Sequence, residues 1–274
     1  MPELPEVETV KRIVEPQIAG QKILSAEINN PQIIAHPSPR QFLNGIVGQT
    51  VRGMSRRGKF LTIHFESGDR IVLHLRMTGR FLVAPRDFPA EKHTHLTFSL
   101  SNGTSARYID VRRFGRFWLL KKGEADNVSG QHKLGLEPFD KNLTASFLKS
   151  GEGRRTRAVK EMLLDQTVVA GIGNIYSDEI LYAAGINPAK RCCDLRPSDW
   201  RRLARQIKHI MAWGIESNAT TPEAYLAGKG GEYRNTPLLR IYGREGETCK
   251  LCGSVFARTV IGGRGSCYCP HCQK

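Results

Sequence analysis

Cys249-Lys250-Leu251-Cys252-Gly253-Ser254-Val255-Phe256-Ala257-Arg258-Thr259-Val260-Ile261-Gly262-Gly263-Arg264-Gly265-Ser266-Cys267-Tyr268-Cys269-Pro270-His271-Cys272 is the stretch that decides the fold of this chain. It holds two Cys-x2-Cys pairs separated by sixteen residues. That spacing brings four thiolates to one ion. An all-sulfur tetrahedral set suits a structural Zn²⁺ and leaves no open position for water, so the ion holds structure. Cys249, Cys252, Cys269 and Cys272 are therefore the expected ligands. Cys267 does not complete a pair and is read as a non-ligand. Between the pairs, Val255 to Val260 reads as a strand, and Ile261 to Gly265 as a glycine-rich turn before a second strand. This is a zinc β-hairpin with Arg264 at its tip. Arg264 has two readings, an ordinary solvated turn residue or a guanidinium that approaches a phosphate closely.

Upstream, residues 143–149, 157–164, 174–184 and 198–215 carry apolar residues at helical spacing. Ser198 and Asp199 suit the start of the last of these, and Asn174 is expected to cap the third. Asp165 to Tyr176 links two of the helices through Gly171 and Gly173. Such a turn can expose backbone N–H groups to a phosphate at a helix start; it is equally the turn of a plain αα-hairpin. Residues 218–235 are weakly patterned and read as a mobile loop.

From Lys22 to Leu120 the period shortens to that of strands. Phe60–Phe65, Ile71–Leu75, Gly79–Val83, His95–Leu100, Arg107–Ile109 and Phe117–Leu120 are expected strands. Many short strands joined by hairpins suggest an antiparallel sandwich or barrel. Arg52, Arg56, Arg57 and Lys59 fall within eight residues without an acid. Met77 and Phe114 sit in turns, where they are either core residues or wedges that fill a gap in a base stack.

The chain opens Met1-Pro2-Glu3-Leu4-Pro5-Glu6-Val7-Glu8. Residues 5–18 read as a helix with Val7, Val10, Ile13 and Val14 on one face; Pro16 should weaken its end and Gly20 should stop it. The helix would hold Pro2 against a core. Trimming of Met1 would leave a secondary amine beside the Glu3 carboxylate. Such an amine is either an inert terminus or a nucleophile that forms an iminium with an electrophilic carbon, Glu3 moving the protons.

Bulk composition bounds these readings. The 274 residues allow more than one core, and 41 Lys and Arg against 26 Asp and Glu give a net charge of +15. Nucleic acid is the commonest partner for such a surface. No apolar run approaches a membrane span, and the acidic opening is not a secretory signal, so the expected location is the cytoplasm. Seven cysteines, five of them after position 248, favour metal binding over disulfides.

Pro2 to Thr9, Arg56-Arg57-Gly58-Lys59-Phe60, His74-Leu75-Arg76-Met77, His93-Thr94-His95, Asp110-Val111-Arg112-Arg113-Phe114-Gly115, Val169 to Glu179 and the zinc ribbon together resemble the bacterial formamidopyrimidine-DNA glycosylase family. The resemblance covers nearly the whole chain. It implies an α+β architecture. Residues 1–134 would form a two-sheet antiparallel β-sandwich with a leading helix. Residues 135–228 would form a helical helix–two-turn–helix domain, and 229–274 the zinc β-hairpin. It implies Pro2 as Schiff-base nucleophile, Glu3 as proton donor, and Lys59 and Arg264 as donors in β- and δ-elimination. Met77, Arg112 and Phe114 match void-filling positions. His93, Arg112 and Arg155 match DNA contacts, and Lys59, His74, Asn174 and Arg264 the phosphate clamp. The implied cofactor is one structural zinc ion. The implied partner is damaged double-stranded DNA, bound by a monomer that associates with the nucleoid through it. Two alternatives are an endonuclease VIII-like enzyme on oxidised pyrimidines, and a non-catalytic lesion-binding protein on the same scaffold. The sequence departs from the family at Ser217 to Tyr225. A Gly-Gly-Ser/Thr segment leading to a basic residue is expected there, and Pro222 and Glu223 stand near the basic position.

Overall fold

The computed structural model describes residues 2–231 and 236–274. They form two compact units, Met1–His132 with Asn218–Arg234, and Lys133–Ser217 with Asn235–Lys274.

In the first unit, helix α1 spans Leu4–Ile18. It starts where Glu3 N–H donates to the Glu6 carboxylate (2.8 Å), which satisfies an otherwise orphaned amide. Val7, Val10, Ile13, Val14 and Ile18 are buried along one face. Pro16 does not shorten the helix, which runs on to Ile18. The neighbouring Glu15 accepts the Met54 N–H at 2.7 Å and ties this last turn to the sheet beneath it.

Among the described residues the unit's strands are β1 (Ile23–Ile28), β2 (Ile34–His36), β3 (Val51–Arg57), β4 (Phe60–Phe65), β5 (Arg70–His74), β6 (Arg80–Pro85), β7 (Thr94–Leu100), β8 (Thr104–Ile109) and β9 (Arg116–Leu120). They build a five-stranded sheet, β2-β9-β5-β4-β3, and a four-stranded sheet, β1-β7-β8-β6. One hydrophobic core draws on both sheets and on α1. The two-sheet sandwich with a leading helix is thus present. One pair departs from an all-antiparallel reading: β2 runs parallel to β9. Sequence patterning also passed over α2 (Pro39–Ile46), a helix between β2 and β3. Its signal was present in the capping box Ser38-x-x-Gln41, with Pro39 in the first turn. Phe42 and Ile46 from α2 enter the core, Phe42 edge-on to Phe117 with ring centroids 6.5 Å apart.

The sheet register brings two turns of the candidate site together. The chain leaves β5 for the other sheet through residues 75–79, and returns from β8 to β9 through residues 110–115. His74 pairs with Arg116 in one sheet and Arg80 with Ile109 in the other. The two crossing turns therefore lie side by side.

The second unit contains α3 (Ala145–Glu152), α4 (Val159–Leu164), α5 (Asn174–Ala184) and α6 (Pro197–Ser217). Helix α5 ends at Gly185, whose left-handed φ of 64° closes the helix without a Cβ clash. Asn174 is the first helical residue, and Gly173 holds the cap position that the sequence suggested for Asn174. After α6 the chain returns to the first unit and forms α7 (Pro222–Ala227). This corrects the expectation of a mobile loop over 218–235, of which 232–235 lie outside the described residues. Thr221 Oγ1 accepts the Ala224 N–H, Pro222 occupies the first turn, and buried Tyr225 packs into the core of the first unit. Strands β10 (Ala257–Ile261) and β11 (Arg264–Tyr268) complete the second unit. The tight turn between them is Gly262-Gly263, with φ of 55° and 72°. That pair of left-handed residues suits a two-residue hairpin. Arg264 is accordingly the first residue of β11, paired with Ile261, and is exposed.

Candidate active site and nucleic-acid interface

In the first unit the candidate residues fall in two groups, one at the start of α1 with the β3–β4 turn and the end of β5, the other on the two crossing turns. Pro2 is buried, and Glu3 is 2% exposed. The Glu6 carboxylate holds this end, accepting from Glu3 N–H at 2.8 Å and from Asn218 Nδ2 at 2.9 Å. Lys59 lies with Gly58 in the turn between β3 and β4, since Arg57 pairs with Phe60. Arg56 ties that turn to α1: its Nε donates to Glu8 at 2.9 Å and its Nη1 to the Gly58 carbonyl at 3.1 Å. Burial pushes the Glu8 carboxyl up, but hydrogen bonds from Arg56 and Arg12 outweigh it and hold Glu8 below its usual range. Glu8 is thus an anion that anchors the basic turn to the helix.

His74 ends β5 opposite Phe60, their rings edge to face at 4.6 Å. Burial first, then the charges of Arg76 and Lys59, depress its pKa to about 3. It is neutral at pH 7. Its Nδ1 accepts the Arg76 N–H at 2.9 Å, which puts the ring proton on Nε2. A neutral imidazole in this tautomer offers a hydrogen-bond donor without adding charge.

Met77, Arg112 and Phe114 stand exposed on the two crossing turns. The Arg112 guanidinium lies 4.7 Å from the centre of the Phe114 ring, within cation–π range. Sequence reasoning missed what holds them there. Asp110 is wholly buried and accepts from Thr78 Oγ1 (2.5 Å), Arg112 N–H (3.1 Å), Tyr108 Oη (2.8 Å) and Gly115 N–H (2.9 Å). Burial raises its pKa, and these four donors more than reverse the effect. One carboxylate therefore binds both turns together. Arg76 and Arg113 flank the candidates with φ of 56° and 58°, a conformation non-glycine residues adopt at a cost. Glycine is required at 115, where a Cβ would meet Tyr108 Oη at 1.6 Å. His93 is half-buried; its carbonyl accepts the Asp110 N–H at 3.0 Å, which places it beside the same turns.

The second unit gathers Asn174, Arg264 and the cysteines. Asn174 Nδ2 donates to the Gly265 carbonyl at 3.1 Å, so the residue next to Arg264 rests on the start of α5. Beneath this contact is a buried ion pair, Lys160 Nζ to Asp178 Oδ1 at 2.6 Å. Lys160 also donates to Gly265 O, while Ser266 Oγ and Cys267 N–H donate to Asp178. The hairpin start is thus tied to α4 and α5 by buried charge. Arg155, in contrast, is exposed and lies 3.4 Å from Glu152; it is not drawn into this cluster.

The four cysteine sulfurs lie within 4.8 Å of one another. Cys249 and Cys272 Sγ are 4.0 Å apart, and Cys252 and Cys269 Sγ 3.5 Å. A zinc ion about 2.3 Å from each sulfur of a tetrahedron requires sulfurs about 3.8 Å apart. The set fits. Cys267 is not part of it; burial raises its pKa to about 11 and its N–H serves Asp178. The Tyr182 hydroxyl lies 3.2 Å from Cys249 Sγ, and Gln273 donates to Ile186 O, so the ion's surroundings are joined to α5. Removing the metal is expected to abolish amide-exchange protection across residues 257–268, because folding and metal binding are one event in small zinc modules. Full protection after elemental analysis has established metal loss would refute this.

Comparison with known proteins gives three matches along the chain. The formamidopyrimidine-DNA glycosylase N-terminal domain matches residues 1–117, the formamidopyrimidine-DNA glycosylase H2TH domain 134–225, and the zinc finger found in FPG and IleRS 246–274. The formamidopyrimidine-DNA glycosylase of Pelotomaculum thermopropionicum is 41% identical over 274 residues, covering 100% of this chain and 99% of that protein. Two solved structures of the Lactococcus lactis protein Fpg are similar throughout. One is a complex with abasic-site DNA (34% identity, TM-score 0.88, 99% of each chain). The other is a complex with FAPY-dG DNA (35% identity, TM-score 0.88, 99% of this chain and 100% of that one). With full-length identity at this level, three domain matches in order and four cysteines that fit one structural zinc ion, the chain belongs to the formamidopyrimidine-DNA glycosylase family.

Proposed function

We propose that the chain is a bifunctional DNA glycosylase and AP lyase of base-excision repair, acting on oxidised purines in double-stranded DNA. The observation that carries this reading is the buried Pro2-Glu3 terminus held by the Glu6 carboxylate, in a chain related over its full length to formamidopyrimidine-DNA glycosylases. The solved complexes of the Lactococcus relative hold abasic-site and FAPY-dG DNA, the product and substrate classes that the reaction requires.

A base in a duplex hides its sugar carbon, so the damaged nucleotide is turned out of the stack. In our reading Met77, Arg112 and Phe114 fill the space it leaves, their two turns locked by Asp110. The Pro2 amine, freed from Met1, bonds to C1′ as the bond to the base breaks, its proton leaving with the base; Glu3 then protonates the ring oxygen O4′ as the C1′–O4′ bond breaks and the C1′–nitrogen double bond forms. The resulting iminium withdraws electrons and makes a C2′ proton acidic. Loss of that proton expels the 3′ phosphate, and a second elimination expels the 5′ phosphate. Lys59 and Arg264 serve these eliminations. His74 and Asn174 bind phosphate, and His93 and Arg155 contact the DNA. Zinc takes no chemical part; its four cysteines shape the hairpin that carries Arg264.

We retain the three-part organisation 1–134, 135–228 and 229–274 as the functional division, and a monomer in the cytoplasm as the acting form. Among the described residues no helix is long and apolar enough to cross a membrane. Borohydride trapping tests the enzymatic reading. With duplex carrying 8-oxoguanine opposite cytosine, the protein should form a covalent adduct on reduction. An adduct only with oxidised pyrimidines would select the endonuclease VIII-like activity, and no adduct with any oxidised base or abasic site would select a non-catalytic lesion-binding protein.

A further inference from the structure

Asn218 is wholly buried, and its side chain reaches residue Glu6, 212 positions away in sequence. Glu6 has two carboxylate oxygens. One accepts the amide of Glu3, the peptide N–H directly after Pro2; the other accepts Asn218 Nδ2. Asn218 also begins the segment that folds back onto the first unit as α7. That segment is fastened at three further points. Tyr225 Oη donates to Phe81 O at 3.1 Å, Arg80 Nη1 to Lys229 O at 2.6 Å, and Lys229 Nζ lies 3.1 Å from Glu91. The stretch that departs from the family pattern is thus the stretch bonded to the carboxylate that orients the N-terminus.

We propose that Asn218 is a positioning residue for the Pro2 amine, acting through Glu6. This rests on the reading of Pro2 as nucleophile. Loss of the Asn218 bond loosens the carboxylate about its last side-chain bond, and with it the Glu3 amide that it accepts. Held at both oxygens, it fixes the peptide that carries the amine. Seating of the 218–230 segment thereby becomes a condition for a correctly aimed nucleophile. Near-attack geometry is sensitive to small errors, with about 1 Å of misplacement costing ~10²-fold in rate.

The test exchanges donor and acceptor. Asn218→Asp sets two carboxylates against each other and removes the donor. Asn218→Asp combined with Glu6→Gln restores both bonds in reverse: the Gln amide donates to the new carboxylate, and its oxygen still accepts the Glu3 N–H. The readout is the single-turnover rate of borohydride-trapped adduct on duplex with a preformed abasic site, at saturating DNA. We expect Asn218→Asp to slow trapping by roughly 10–100-fold with DNA affinity unchanged, and the double variant to return to within about threefold of wild type. Asn218→Ala, which removes the donor without adding charge, should also be slow. Wild-type speed in either single variant, or failure of Glu6→Gln to restore Asn218→Asp, overturns the positioning role while leaving Pro2 as nucleophile. Absence of any adduct with the wild-type protein overturns both.

Discussion

Glu3→Gln is expected to slow formation of the iminium by about 10²–10⁴-fold, the range for losing a positioned proton-transfer group. The substitution keeps the shape of a side chain that sits in a buried site, 2% exposed, and keeps the Glu3 N–H bond to Glu6. DNA affinity should therefore hold while the chemical step fails. Single-turnover borohydride trapping on duplex with 8-oxoguanine, measured beside the dissociation constant of the same duplex, checks this. A rate within about threefold of wild type would remove Glu3 from the reaction. A parallel loss of affinity would assign it to binding.

Asp178→Ala is expected to lower the stability of the second unit by about 3–5 kcal/mol, the cost of removing one partner of a buried ion pair. Lys160 and Asp178 are 0% and 1% exposed and 2.6 Å apart. Burial drives the Asp178 carboxyl up, and Lys160, Cys267 and Ser266 only partly offset it. Its charge is thus costly to bury and depends on its partners. Without Asp178 the Lys160 ammonium stays buried without its carboxylate. Replacing both by apolar residues, Lys160→Met with Asp178→Leu, should cost less than Asp178→Ala alone. Denaturant unfolding of the three proteins decides it; equal stability of Asp178→Ala and wild type would refute the argument. Because Gly265, Ser266 and Cys267 all bond to this pair, the loss should also displace Arg264.

Much of the framework was legible in the chain. The stripe Val7, Val10, Ile13 and Val14 marked the buried face of α1, because helical periodicity repeats over neighbouring residues. Helix α2 was legible in principle through Ser38, Pro39 and Gln41, but the surrounding strand pattern masked it. Residues 5–18 were also legible as a helix despite Pro16, and α1 does end at Ile18. Contacts of Glu15 and Ile18 with the sandwich carry the helix past a residue that local propensity disfavours. The expected loop after residue 217 became α7 for the same reason: Tyr225 finds the core of a unit begun about two hundred residues earlier.

By itself the sequence determined the two-part character of the chain, its basic surface and the zinc ligands, whose pairs lie close along the chain and need only a hairpin to meet. Resemblance named Pro2, Glu3, Met77, Arg112 and Phe114 without saying what aims them. Only the tertiary structure decided that: Asp110 as the clamp of two turns, Lys160 with Asp178 beneath the zinc hairpin, and Asn218 against Glu6. In each, the deciding contact joins residues well separated in sequence: Thr78 to Asp110 over 32 positions, Lys160 to Asp178 over 18 and Asn218 to Glu6 over 212. No periodicity records such a bond, because its geometry exists only after both partners have been buried.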